Sequence, residues 1–305
     1  MKVLIVCSCT RGKISGPYIE EQVESLRAIG LEVDYFLIKG KGAGAYIISY
    51  WYYLKKIWKS DYNLIHAHYG FSGLMASCQF LKPVVTTFHG SDINIRSNRR
   101  LSWLAYKLSK FSIFVNEDLA EKIGAKKKYA VVPCGTNVSI FCPLEKEICR
   151  EKLNLPKNVT IALFPAGFDE YIKNYPLAQA VCSGIANLIL VELKGYTREE
   201  VNLLLNASDF LIMTSFSEGS PQIIKEAMAC NCPIITTDVG DISSRLKEVE
   251  GCYITNFDKN EIKNKIQMFL KLDTFRTNGR KLLFKDKLDM NSVADKILNI
   301  YHHLI

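Results

Sequence analysis

Apolar and polar residues alternate along this chain in two rhythms. Short apolar runs at residues 3–7, 33–38, 63–66, 83–88, 112–116 and 130–133 read as strands. Between them, apolar residues recur at helical spacing. Ile19, Val23, Leu26 and Ile29 form one such stripe, with Gly12 and Gly16 punctuating the loop before it and Gly30 ending it. This alternation predicts a parallel sheet wound with helices. The stretch 133–143 is rich in turn formers and reads as a linker. A second series of strands follows at 160–164, 188–193, 210–213, 233–236 and 252–254, and about the last 45 residues read as wholly helical. Two α/β lobes would place a ligand cleft between them, at the carboxyl ends of the strands.

With 305 residues, the chain is long enough for two modest cores. Its 48% hydrophobic and 23% charged residues are ordinary for a soluble globular protein. No apolar run reaches the roughly 18–20 residues of a membrane span. The start, residues 1–7, is too short in its apolar core for a signal peptide, and Arg11 and Lys13 follow at once. It reads as a buried first strand. Ten cysteines show no paired C-x-x-C spacing, which argues against structural zinc and for reduced thiols in a cytoplasm. The net charge of +8 is unevenly placed. Residues 1–140 hold 19 Lys+Arg against 10 Asp+Glu, whereas the remainder holds 20 against 21. The N-terminal half would therefore be drawn to an anionic surface. No zinc-finger spacing or RNA-binding signature accompanies that charge, so nucleic acid is not an expected partner.

The sharpest chemistry lies at residues 215–230, directly after the strand at 210–213. Ser220 reads as an N-cap and Pro221 as the first helical residue. A helix starting at the carboxyl end of a strand offers N–H groups and a dipole to an anion. Glu218 lies in the loop before it and Glu226 inside it. Two carboxylates around a diphosphate-sized anion site suit the hydroxyls of a nucleotide-sugar. On chemistry alone, a surface glutamate before a capped core helix explains the segment equally well.

This segment resembles the E-x7-E signature of the family 4 retaining glycosyltransferases of the GT-B fold (glycosyl transferases group 1). Residues 231–241, NCPIITTDVGD, continue the resemblance. So do the D-x-x-x-x-H-x-H strand end at 61–68, the loop Thr87-Phe88-His89-Gly90-Ser91-Asp92, the interdomain segment at 132–143, and a final helix with Tyr301. The resemblance implies two Rossmann-like lobes, an acceptor lobe at 1–140 completed by a helix at about 290–305, and a donor lobe at 141–289. It implies a hexosyltransferase that moves a sugar from a UDP- or GDP-linked donor to a glycan or lipid-linked acceptor, with retention of configuration and neither cofactor nor metal.

Position by position, the resemblance gives Glu218 to hydroxyls of the donor sugar and Glu226 to the ribose. It gives the backbone of Gly219, Ser220, Pro221 and Gln222 to the diphosphate, and Lys173 to the leaving phosphate. His89 would orient the reacting sugar, Asp92 in the same loop would bind substrate, and Gly16 would lie against donor or acceptor. Developing charge on a departing diphosphate is what a lysine and a helix N-terminus stabilise best.

The sequence departs from the family in two places. The arginine usual six residues before the lysine is Gly167, and only 44 residues separate Lys173 from Glu218, so the second lobe is abbreviated. These departures favour the rival reading, a non-catalytic sugar-nucleotide-binding or scaffold partner with the same fold. The pair His66 and His68 is weak evidence for a metal and reads as structural or as part of an acceptor loop. His302 and His303 read as surface residues. The aromatic, basic stretch at 46–59 reads either as a helix packed on the first sheet or as an amphipathic helix on a membrane surface. With Arg96, Arg99, Arg100 and Lys126, Lys127 and Lys128, it motivates a peripheral contact with the inner face of the cell membrane.

Overall fold

The computed structural model describes residues 1–10, 13–14, 16–40, 42–272 and 276–305, without the side chains of residues 10, 13 and 43. Arg11 and Gly12, expected in the first loop, lie outside the described residues. The chain divides into two compact units, Met1–Gly135 with Met290–Ile305, and Thr136–Asp289. No helix among the described residues is long and apolar enough to cross a membrane.

The first unit contains β1 (Lys2–Thr10), β2 (Lys13–Ile14), β3 (Glu32–Lys39), β4 (Leu64–His68), β5 (Val84–Phe88), β6 (Phe111–Phe114) and β7 (Tyr129–Val131). Six strands are parallel in the order β3-β1-β4-β5-β6-β7, and β2 folds back antiparallel on the end of β1. Val3 pairs with Val33 on one side and Leu64 on the other. These strands are apolar on both faces because helices cover both. Ile19, Val23 and Leu26 of helix Pro17–Ala28 share one core with Val293, Ala294, Ile297 and Tyr301 of helix Met290–His302. Each such burial stabilises by roughly 1.5–3 kcal/mol. Helix Gly42–Trp58 covers the opposite face with Tyr53 and Ile57. Gly30 ends helix Pro17–Ala28 as expected: at φ 90°, its N–H bonds Arg27 O and the next N–H bonds Leu26 O.

The second unit contains β8 (Thr160–Phe164), β9 (Leu188–Glu192), β10 (Phe210–Met213), β11 (Ile234–Thr237) and β12 (Tyr253–Thr255), parallel in the order β9-β8-β10-β11-β12. Its strand order reverses between β8 and β10, as that of the first unit does between β1 and β4. Such reversals leave a crevice at the carboxyl ends of the strands.

All eleven expected strands are present, displaced by no more than a few residues. The two-residue β2 was too short to carry a periodicity. The C-terminal run is three helices, Lys259–Phe269, Gly279–Lys285 and Met290–His302, rather than one helical stretch. Lys287, at φ 53°, breaks it before the last helix. The segment read as a linker is tied down in part. The Arg280 guanidinium donates to the carbonyls of Phe141 at 2.7 Å, Ala229 at 3.0 Å and Val138 at 3.2 Å.

Candidate functional site

In the second unit, the loops after β8 and β10 are stitched together at the strand reversal. The Thr214 hydroxyl donates to the carbonyls of Lys173 (3.1 Å) and Asn174 (2.9 Å), and the Phe216 N–H donates to Ile172 O at 2.9 Å. Asn174, left-handed at φ 56°, turns the chain from Lys173 into helix Tyr175–Cys182. The outcome is an ion pair: Lys173 Nζ donates to Glu218 Oε1 at 2.7 Å, with both side chains mostly shielded from solvent.

Helix Gln222–Ala229 begins four residues after Glu218, and its N-cap is Pro221 at φ −64°, ψ 121°. This corrects the sequence reading, in which Ser220 capped the helix and Pro221 was its first residue. The Ser220 hydroxyl instead donates to Asp241 Oδ2 at 2.8 Å and accepts from Lys225 Nζ at 3.2 Å. Asp241 also accepts from Arg245 Nε at 2.8 Å. The loop holding Gly219 is therefore braced from the loop after β11. Gly240, at φ +64°, lies so close that an added Cβ would stand 2.2 Å from Gly219 O.

Glu226 is buried in that helix, and its Oε1 lies 2.7 Å from Arg198 Nη2. Arg198 is the first residue of helix Arg198–Ala207. Thr197 and Glu200 fix that helix start with a capping box, and the guanidinium also stacks 4.6 Å from the Phe141 ring centroid. Arg198 was missed by the motif reading. A T-x-x-E box at 197–200 marks this helix start, but no local pattern tells where its first side chain points. Gly167 also has a neighbour. A Cβ there would meet Lys194 Cδ at 2.8 Å, and Lys194 Nζ is held by Asp169 at 2.8 and 2.9 Å.

In the first unit, Gly16 sits at the N-cap of helix Pro17–Ala28 with φ 106°, a conformation that favours glycine. Asp92 is buried, and its carboxylate accepts from the N–H groups of Gly90 (2.8 Å), Gly70 (3.1 Å) and His89 (3.2 Å). Burial nevertheless pushes its pKa up to about 6. The sequence reading gave Asp92 to substrate. The structure makes it the brace of the loop that carries His89, because a buried carboxylate is stable only with donors around it.

His89 is likewise more engaged than expected. Its Nε2 lies 3.0 Å from His68 Nδ1, its Nδ1 3.6 Å from Cys134 Sγ, and its ring packs against those of Tyr69 and Tyr18. A direct ring contact to a sugar, as expected from sequence, would compete with these partners. His66 is pinned by Tyr301 at 2.6 Å and Thr87 at 2.7 Å, so its role is structural. Burial lowers the pKa of His66 and takes that of His68 down to about 3, which keeps both rings neutral. Among the described residues, no group of three or more potential ligands is placed to hold a metal ion.

Two doubly wound units, the second with a cation–carboxylate pair at its strand reversal, have the architecture that binds ligands at the carboxyl ends of parallel strands. Residues 2–140 match the Glycosyltransferase Family 4 model and residues 152–271 the model for Glycosyl transferases group 1, and the chain belongs to this family. It is 30% identical over 213 residues to TuaC of Bacillus subtilis, named as a teichuronic acid biosynthesis glycosyltransferase, an overlap of 60% of this chain and 54% of that one. It is 25% identical over 235 residues to the N,N'-diacetylbacillosaminyl-diphospho-undecaprenol alpha-1,3-N-acetylgalactosaminyltransferase of Campylobacter jejuni, covering 66% of this chain and 62% of the relative. The matches thus span little more than half the length of these two relatives. The fold is that of Anabaena Alr3699/HepE, solved in complex with UDP-glucose, at a TM-score of 0.81, 16% identity and full coverage of both chains (100% each).

Proposed function

We propose that this chain is a retaining hexosyltransferase. It would take a UDP- or GDP-linked sugar and transfer the hexose to a glycan or lipid-linked acceptor in surface polysaccharide biosynthesis. The enzyme would work in the cytoplasm, in peripheral contact with the inner face of the cell membrane. The observation that carries this reading is the Lys173–Glu218 pair, set before helix Gln222–Ala229 at the reversal between β8 and β10. The two named relatives support the polysaccharide and lipid-linked parts, and the HepE complex supports a UDP-linked donor.

In this reading, the bond between the sugar's anomeric carbon and the diphosphate breaks as an acceptor hydroxyl attacks from the same face. The hydroxyl proton passes to the departing phosphate oxygen, so no enzyme nucleophile is required. Lys173 and the positive end of helix Gln222–Ala229, with the backbone of Gly219 to Gln222, meet the charge that develops on the diphosphate. Glu218 exchanges its bond with Lys173 for hydroxyls of the donor sugar. Glu226, held by Arg198, accepts from the ribose. His89 and Gly16 contribute through the backbone on the sugar side, with Asp92 fixing the His89 loop. No cofactor or metal is part of this reading.

Gly167 favours one rival, a non-catalytic sugar-nucleotide-binding or scaffold partner, because it removes a diphosphate cation and the neighbouring Lys194 is tied to Asp169. Thermal unfolding with UDP, GDP, ADP and their sugar conjugates tests the proposal. A ligand at 100 times its dissociation constant stabilises by about 2.7 kcal/mol. A shift with one nucleotide, followed by release of that nucleotide from its sugar conjugate, supports the enzyme. A shift without turnover supports the rival. The absence of any shift removes the donor site altogether.

A further inference from the structure

Helix Gly42–Trp58 turns Tyr53 and Ile57 into the core and leaves Ile47, Ile48, Trp51, Tyr52 and Trp58 exposed. Beside this outer face lies an apolar groove of about 640 Å³. Tyr46, Ile47 and Trp51 line it from this helix, Phe71 and Leu74 from helix Gly70–Ser77, and Leu101 from helix Arg96–Leu108. A different face of helix Arg96–Leu108 borders a second depression, of about 930 Å³, lined by Arg96, Arg99, Arg100 and Lys122. One helix thus borders both an apolar groove and a basic one.

The charge carried by the two helices bears on the occupant of the groove. Helices Gly42–Trp58 and Arg96–Leu108 contain no acidic residue, while Lys55, Lys56, Arg96, Arg99, Arg100 and Lys107 supply six cations. Two copies docking symmetrically through this face would bring both sets of cations together, which disfavours a dimer. An anionic lipid satisfies both depressions. Its phosphate suits arginine forks, its chain suits a groove lined with rings and aliphatic groups, and tryptophan and tyrosine favour the headgroup level.

We infer that this face binds an anionic phospholipid of a membrane surface, drawing one acyl chain into the groove beside Trp51 while the arginines of helix Arg96–Leu108 hold the headgroup phosphate. The inference rests on the membrane contact proposed above and adds a ligand site to it.

The chain has three tryptophans, so Trp58→Phe with Trp103→Phe leaves Trp51 as the only one. The nucleotide-free double variant is mixed with phosphatidylcholine vesicles, with or without phosphatidylglycerol, whose acyl chains are either plain or brominated. The expected result is sedimentation with the phosphatidylglycerol vesicles and quenching of Trp51 by their brominated chains. Ile47→Glu changes an exposed residue of the groove wall and should weaken partitioning by about tenfold or more, the factor carried by one buried apolar side chain. Its unfolding temperature serves as the folding control. Sedimentation without quenching overturns the groove and leaves a surface contact alone. Equal quenching by pure phosphatidylcholine overturns the role of the arginines. No sedimentation overturns both the groove and the membrane contact, and leaves donor binding untouched.

Discussion

Lys173 and Glu218 are 45 residues apart in the chain, yet the ammonium of one lies 2.7 Å from the carboxylate of the other. The contact exists because Lys173 ends the turn after β8, Glu218 lies in the loop after β10, and these strands are neighbours at the reversal of the sheet. Without a ligand, each group neutralises the other. In the proposed reaction a diphosphate would give Lys173 a stronger anion to meet, and Glu218 would be released to sugar hydroxyls. Lys173→Ala should therefore lower kcat/KM on the nucleotide-sugar by on the order of 10²–10³. Comparable turnover in the variant and the parent would remove Lys173 from the chemistry.

In the Arg198–Glu226 pair the carboxylate is almost wholly buried, with 3% of its side chain exposed against 22% for the arginine. Removing one partner leaves the other charged in a poorly solvated place, at a cost of about 3–5 kcal/mol. Arg198→Met and Glu226→Gln should each lower the unfolding temperature, and combining them should restore part of it. Nucleotide-induced stabilisation should stay absent in the double variant, because the ribose acceptor is gone. If the double variant still responds to nucleotide as the parent does, Glu226 has a purely structural role.

Gly240 touches no proposed ligand, yet it should matter to donor binding. At φ +64° a side chain there is strained, and its Cβ would press on Gly219 O from 2.2 Å. Gly240→Ala should cost about 1–2 kcal/mol of stability and displace the loop that carries Glu218. A rise in donor KM, measured alongside unfolding temperature, checks this. Unchanged KM would mean that the loop after β11 can yield without moving the site.

Stability should depend on pH below neutrality. His66 and His68 are buried as neutral rings, with the pKa of His68 near 3 against an ordinary 6.5. The unfolded chain takes up protons at these positions before the folded chain does. Their contribution is thus complete above about pH 6.5 and is lost as the pH falls towards 3. Asp92, raised from 3.8 to about 6, opposes this between those two values, because there it binds a proton more readily when folded. Unfolding temperatures from pH 7 down to 4 should fall, and His68→Asn should flatten that slope. A slope unchanged by His68→Asn would show that His68 is not the buried titrating group.

Much of the fold was legible in sequence because it rests on local periodicity. Continuous apolar runs mark strands covered on both faces, and the stripe at Ile19, Val23 and Leu26 marks a helix face. The Glu218–Glu226 segment was legible because a strand end, a loop and a helix start follow one another without a break. Arg198 was not, since its partner Glu226 comes 28 residues later and the pairing is made by packing. The bonds of Asp92 to the backbone of its own loop were not legible for a related reason. A carboxylate in a glycine-bearing loop looks the same in sequence whether it faces a ligand or its own backbone.

The sequence by itself determined where strands and helices form, which half carries the excess positive charge, and which segment has a helix N-terminus next to two carboxylates. These follow from side-chain chemistry over a few residues. Only the tertiary structure decided that Lys173 meets Glu218, that Arg198 meets Glu226, and that both ring nitrogens of His89 have protein partners. It also placed a basic depression next to an apolar groove. These contacts depend on strand order and side-chain packing, and no local pattern of residues encodes either one.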